Sequence, residues 1–182
     1  MRNKKNFITS PKSVQQEQSK VPTDMVTIIL LSENHGHRMK SYGPLSLIKL
    51  GNKTLLEKQI ETITSIFENF EIIICSGFET FKTSSFIKSK FSDLNIRIVE
   101  NQMHYNSNCC ESARLCINNT MNNKIVVCGG GVLMTQNHFN SIDYNKNCIL
   151  MQSDTNDSNF EVGVIENNNV LENLSIGIKK IS

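Results

Sequence analysis

MVTIILLS (residues 25–32) is a mostly apolar run broken only by Thr27 before its closing serine, and its β-branched content predicts a strand covered on both faces. From 54 to 70 the period changes. Leu55, Leu56, Ile60, Ile63, Ile66 and Phe67 recur at spacings near three and four, which lines them up on one face of a helix. The same pair of patterns then repeats: EIIICSG (71–77) predicts a second buried strand, FETFKTSSFIKSKF (78–91) a helix and NIRIVEN (95–101) a third strand. Residues 107–118 predict a further helix, with Leu115 in the core and Ser107 or Asn108 as its cap, and KIVVCGGGVLM (124–134) a strand running into three glycines. Strands alternating with helices imply an α/β domain with a mostly parallel sheet, right-handed crossovers and helices on both faces, in three layers.

The last third reads differently. CILMQ (148–152), FEVGVIE (160–166) and VLENLSIGI (170–178) predict short strands split by Asn-rich turns, with ENNNV as a hairpin signal, so an antiparallel C-terminal extension is expected. Residues 1–24 hold Pro11, Pro22 and almost no apolar periodicity, and a disordered polar and basic tail is expected ahead of one domain at 25–182. The ending IKKIS, just after a strand, adds the expectation that the domain is C-terminally short.

Composition narrows the function. At 182 residues there is room for one full domain, and no apolar run approaches the roughly 20 residues of a membrane span. The net charge is +2 and five of the 19 basic residues lie in the first 20 positions, which leaves the folded part near neutral and argues against a nucleic-acid groove. The N-terminus lacks the apolar segment of a signal peptide, so a cytoplasmic protein away from the membrane is expected. Six cysteines without a CxxC pair imply reduced thiols.

In open α/β sheets ligands sit beyond the carboxyl ends of the strands, which selects LSENHGHRM after the first strand, residues 75–78 after the second and 129–133 after the fourth. Gly36 permits close backbone approach, Arg38 can fork onto a phosphate, and Lys40 and Lys49 can assist. Other features have bland readings beside sharp ones. His35 and His37 could join His104, Cys109 or Cys110 on a metal, or be solvent-exposed; the Cys109–Cys110 pair could hold an activated thiol, or pack. The glycines at 129–131 could form a phosphate nest, and Tyr105 and Phe78 could stack on a base or pack at the rim.

Taken in order, LSENHGHRM, GPLSLIKLGNKTLLE, IIICSGF, YNSNCCES, VVCGGGVLM and VLENLSIGIKK resemble the nucleotidyltransferase family that makes nucleoside-diphosphate sugars and CDP-choline. The resemblance spans about residues 25–180 and implies a Rossmann-like fold. Gly36, Arg38 and Met39 match its G-x-G-x-R-M signature, Pro44 and Leu47 its P-K-P-L, and Gly51, Leu55 and Glu57 the start of the next helix. Asn108 and Ser112 match an N-x-x-x-S facing base or substrate. The implied nucleotide site is Ser32, Asn34, Gly36, His37, Arg38, Met39, Gly77, Asn108, Ser112, Gly130 and Gly131, with Arg38 as the catalytic group and Mg²⁺ as the metal of an active enzyme. Its substrates would be a nucleoside triphosphate and a phosphorylated small molecule.

The departures define an alternative. Asn34 stands at the first signature glycine, Leu45 at the P-K-P-L lysine, Ser46 at its second proline, and Gly130, Gly131 and Val132 at a G-D-V whose aspartate binds metal. Asp154, Asp157 and Glu161 are left as candidate ligands or as a solvated turn. A catalytically silent pseudoenzyme that binds a protein partner is therefore the second expectation.

Overall fold

A computed structural model describes residues 22, 24–33, 42–150, 162–168 and 170–176. Most of the expected tail, and residues 34–41, lie outside the described residues. The apolar run becomes strand β1 (Val26–Leu31), whose side chains alternate between two buried layers: Val26, Ile28 and Leu30 face one, and Ile29 faces the other. After it come a 3₁₀ turn (Leu45–Leu47) and a tight antiparallel pair, β2 (Lys49–Leu50) and β3 (Lys53–Thr54), folded around Gly51 at φ 77°.

Helix α1 (Leu55–Ile66) begins on a capping box. The Glu57 amide donates to Thr54 Oγ1 at 3.1 Å, and the Thr54 amide donates to Glu57 Oε2 at 2.6 Å. Then follow β4 (Phe70–Ser76), α2 (Thr80–Lys90), β5 (Ile96–Glu100), α3 (Cys109–Ile117), β6 (Lys124–Gly129) and the short α4 (Gln136–Asn140). The four long strands form one parallel sheet in the order β5-β4-β1-β6. Leu56, Ile60 and Ile63 of α1, Ile87 of α2 and Phe139 of α4 cover one face, and Cys116 of α3 packs on the other.

Two compact units divide the chain, one up to Cys148 and one from Ile149 onward. In the second, β7 (Val162–Asn167) and β8 (Val170–Ile176) make the expected antiparallel hairpin, with Asn168 at φ 53° in the turn and a bulge at Ile165/Glu166. The strand expected at 148–152 is corrected over its described part. Residues 148–150 are not in a strand, and Ile149 and Leu150 are exposed, because a short apolar run becomes a strand only where another strand offers a ladder; residues 151–152 lie outside the described residues.

Candidate nucleotide site

The chain runs from β1 sideways to β4 and β5, then jumps back to β6 on the other flank of β1. This places the switch point between β1 and β6, where open α/β sheets form a crevice at their carboxyl ends. Gly130 closes that edge. Its N–H donates to the Leu31 carbonyl at 2.9 Å, and a Cβ there would lie 2.3 Å from the same oxygen and 2.7 Å from Ser32 Cα. Only glycine fits so near the β1 backbone. At Gly131 a Cβ would meet Leu45 Cδ2 at 3.2 Å. From below, Gln59 of α1 donates through Nε2 to the Val132 carbonyl at 2.7 Å and to the Gly130 carbonyl at 3.3 Å.

Ser32 is buried at the end of β1, and its amide donates to the Cys75 carbonyl at 2.9 Å, which continues the β1–β4 ladder by one residue. Glu33, 2% exposed, accepts through its carbonyl from the Phe78 amide at 3.1 Å, so the loops that leave β1 and β4 are tied together.

The other rim is built on Asn101, which is 1% exposed directly after β5. Its Nδ2 donates to Ser107 and Ser112 hydroxyls, both at 2.9 Å, its Oδ1 accepts from the Met103 amide, and its own amide donates to the Ser76 carbonyl at 2.7 Å. One buried amide therefore joins β4, the 102–107 loop and α3. His104 Nδ1 contacts the Asn101 carbonyl at 3.1 Å, and since a carbonyl only accepts, Nδ1 carries the proton. The imidazole occupies the space over Gly77, where a Cβ would come within 2.6 Å of the ring, and it is tilted against Tyr105 with ring centroids 4.1 Å apart.

Among the sequence-selected residues, the structure brings Ser32, Gly77, Gly130 and Gly131 to the carboxyl edge and puts Asn108 and Ser112 at the start of α3. Asn108 caps that helix, accepting from the Cys110 amide at 3.0 Å and the Glu111 amide at 3.2 Å. Ser112 is fully buried and held by Asn101. Asn34, Gly36, His37, Arg38 and Met39 lie outside the described residues, as do His35, Asp154, Asp157 and Glu161. Beneath Ser112, the Cys116 thiol is pushed up by its hydrogen bond with Cys75 and by burial, and at the start of α3 burial together with neighbouring Cys110 pushes the Cys109 thiol up. These are not activated nucleophiles.

Among the described residues no group of three His, Cys, Asp or Glu side chains converges, and at the turn where the resemblance would put an aspartate, Gly131 stands beside an apolar Leu45, so this position supplies no carboxylate for a Mg²⁺.

Sequence reading missed Gln59, Asn101 and the fit of His104 over Gly77. Asn101 had one signal, a polar residue at the carboxyl end of an apolar strand. Gln59 had another, a polar residue midway between Leu55 and Ile63 on an apolar face.

No protein-family model matches the chain, and no curated protein matches it in sequence. Solved structures do. CTP:phosphocholine cytidylyltransferase from Streptococcus pneumoniae superposes with a TM-score of 0.61 at 19% identity, over 83% of this chain and 64% of that one. The chain has a nucleotidyltransferase-like fold. It spans less than two thirds of the pneumococcal enzyme's length. Inositol-1-phosphate CTP transferase from T. maritima is a looser match, with a TM-score of 0.47 at 17% identity over 58% of this chain and 43% of that one, and the fold assignment rests on the first. A nucleotidyltransferase-like fold accounts for the switch point between β1 and β6. Among the described residues, no helix is long and apolar enough to cross a membrane.

Proposed function

We propose that the chain binds a nucleoside triphosphate across the carboxyl edge of β1, β4 and β6 and transfers its nucleotidyl group to a phosphorylated small molecule. A phosphate oxygen of the acceptor attacks the α-phosphorus, the bond to the β-phosphate breaks, and pyrophosphate leaves. Phosphorus transfer of this kind depends on positioning and charge neutralisation more than on covalent groups from the protein. The observation that carries the reading is the superposition on a CTP:phosphocholine cytidylyltransferase, supported by the meeting of Ser32 and Gly130 at the switch point, with Gly77 further along the same carboxyl edge.

In this reading Arg38 neutralises the polyphosphate and the backbone around Gly36 approaches it. Ser32 and Gly77 border the nucleoside, and Gly130 and Gly131 form the floor. Asn108 and Ser112 set the start of α3 at the rim. CTP with phosphocholine is the first pair to test, because those are the substrates in the name of the superposed enzyme; UTP with a sugar 1-phosphate is the next.

One observation favours a second reading, nucleotide binding without transfer. Leu45 lies against Gly131 where the resembling family carries a lysine and an aspartate. Titration calorimetry with CTP and UTP, with and without Mg²⁺, combined with pyrophosphate release in the presence of phosphocholine or glucose 1-phosphate, separates the two. Transfer predicts binding that Arg38→Ala abolishes, together with acceptor-dependent pyrophosphate release. Binding without release supports the second reading, and no binding to a folded protein rejects both.

A further inference from the structure

The geometry points to Gln59 as a positioning residue that draws two carbonyl groups of the Gly129–Val132 turn away from the nucleotide site. The inference rests on the nucleotide reading given above. Gln59 occupies the apolar stripe of α1, four residues from both Leu55 and Ile63, and is 4% exposed. An aliphatic side chain would be the usual occupant of such a place. The amide is held there at a cost, because its Oε1 is buried without a partner among the described residues. Its Nε2 offsets that cost by reaching two carbonyls of one turn, Val132 at 2.7 Å and Gly130 at 3.3 Å.

The turn has two other fixings, the Gly130 N–H on the Leu31 carbonyl and the Val132 N–H on the Gly129 carbonyl at 3.1 Å. Both constrain N–H groups. Among the described residues, only Gln59 constrains the carbonyls of residues 130 and 132, whose negative ends would repel a polyphosphate if they turned outward. An α1 residue thus sets the polarity that the β6 turn presents at the switch point. Gln59 does not touch the ligand.

The test uses the whole chain with Gln59→Met and Gln59→Glu. In Gln59→Met, affinity for CTP falls about tenfold, the size expected for losing a short buried hydrogen bond's orienting effect, while affinity for cytidine changes less than about twofold. Amide-exchange protection falls at residues 130–132 and stays intact along β1 and β4. In Gln59→Glu, protection of the turn recovers in part as the acid is protonated, because a protonated carboxyl can still donate one hydrogen bond. Equal losses for CTP and cytidine, or unchanged protection at the turn, overturn the inference. If the unaltered protein binds neither ligand, the nucleotide reading fails, and turn protection alone decides whether Gln59 positions the turn. If Gln59→Met does not fold, Gln59→Glu carries the comparison.

Discussion

Leu45 and Gly131 form one contact: a Cβ on Gly131 would lie 3.2 Å from Leu45 Cδ2. They match the two positions at which the resembling family carries a lysine and an aspartate, so the departures from that pattern are neighbours in space. A side chain on the exposed Gly131 would have its first carbon close against the Leu45 methyl group. Single replacements should therefore behave differently from the pair.

Gly131→Asp alone should destabilise the protein by about 1–2 kcal/mol, since its Cβ crowds the Leu45 side chain. Adding Leu45→Lys should recover about 1 kcal/mol of that loss, a coupling that a double-mutant cycle in urea reads directly. Additive effects would show that the two side chains do not share the space.

Gly77→Ala should lower stability by roughly 1–3 kcal/mol, because the new methyl group runs into the His104 ring, which is pinned through Nδ1 to Asn101. His104→Ala in the same chain should relieve most of the loss. Thermal denaturation of the two single variants and the double variant checks this, and an unrelieved double variant would locate the strain elsewhere.

Glu57 should make stability fall in acid. Its carboxyl is held at about 2, below its ordinary 4.5, first by the Lys90 hydrogen bond and then by the Thr54 amide. A depressed folded pKa stabilises the protein above the unfolded value, and the benefit is lost as pH drops from about 4.5 to about 2. Glu57→Gln should cost about 1–2 kcal/mol at neutral pH, with the exposed Lys90 end limiting the figure, and the two stability curves should converge near the bottom of that window. Urea melts between neutral pH and pH 2 check the convergence.

Asn101→Ala should be the most damaging rim substitution, at roughly 2–4 kcal/mol, since it leaves the half-buried Ser107 hydroxyl, the buried Ser112 hydroxyl and the Met103 amide without their shared partner. Asn108→Ala should cost only about 1 kcal/mol, as the loss of a helix cap. Comparing their denaturation midpoints tests whether the rim hangs on the buried amide or on the cap.

What could be read from the sequence follows from the range of the interactions. β1 and β4 were legible because β-branched runs report burial on both faces. The start of α1 was legible because a capping box spans only Thr54 to Glu57. The Asn108 cap was legible for the same reason. Gln59 was not, because its meaning lies 71 residues away at Gly130. His104 gave no sign of Gly77, since they meet only when β4 and β5 pair. The run at 148–152 read as a strand on apolar content alone, and apolar content does not supply a pairing edge.

The strand order also fixes when the crevice can exist. β1 comes first in the chain yet lies in the middle of the sheet, and its Thr27 meets Glu71 of β4 across a separation of 44 residues. Its other flank waits about 100 residues for β6, so during synthesis the central strand is made long before it can be covered on both sides. The last strand to arrive brings the Gly129–Val132 turn with it. A chain that halts before residue 124 can pair β1 with β4 and β4 with β5, but it has no floor to its cleft, and the unpaired edge of β1 is left open to aggregation.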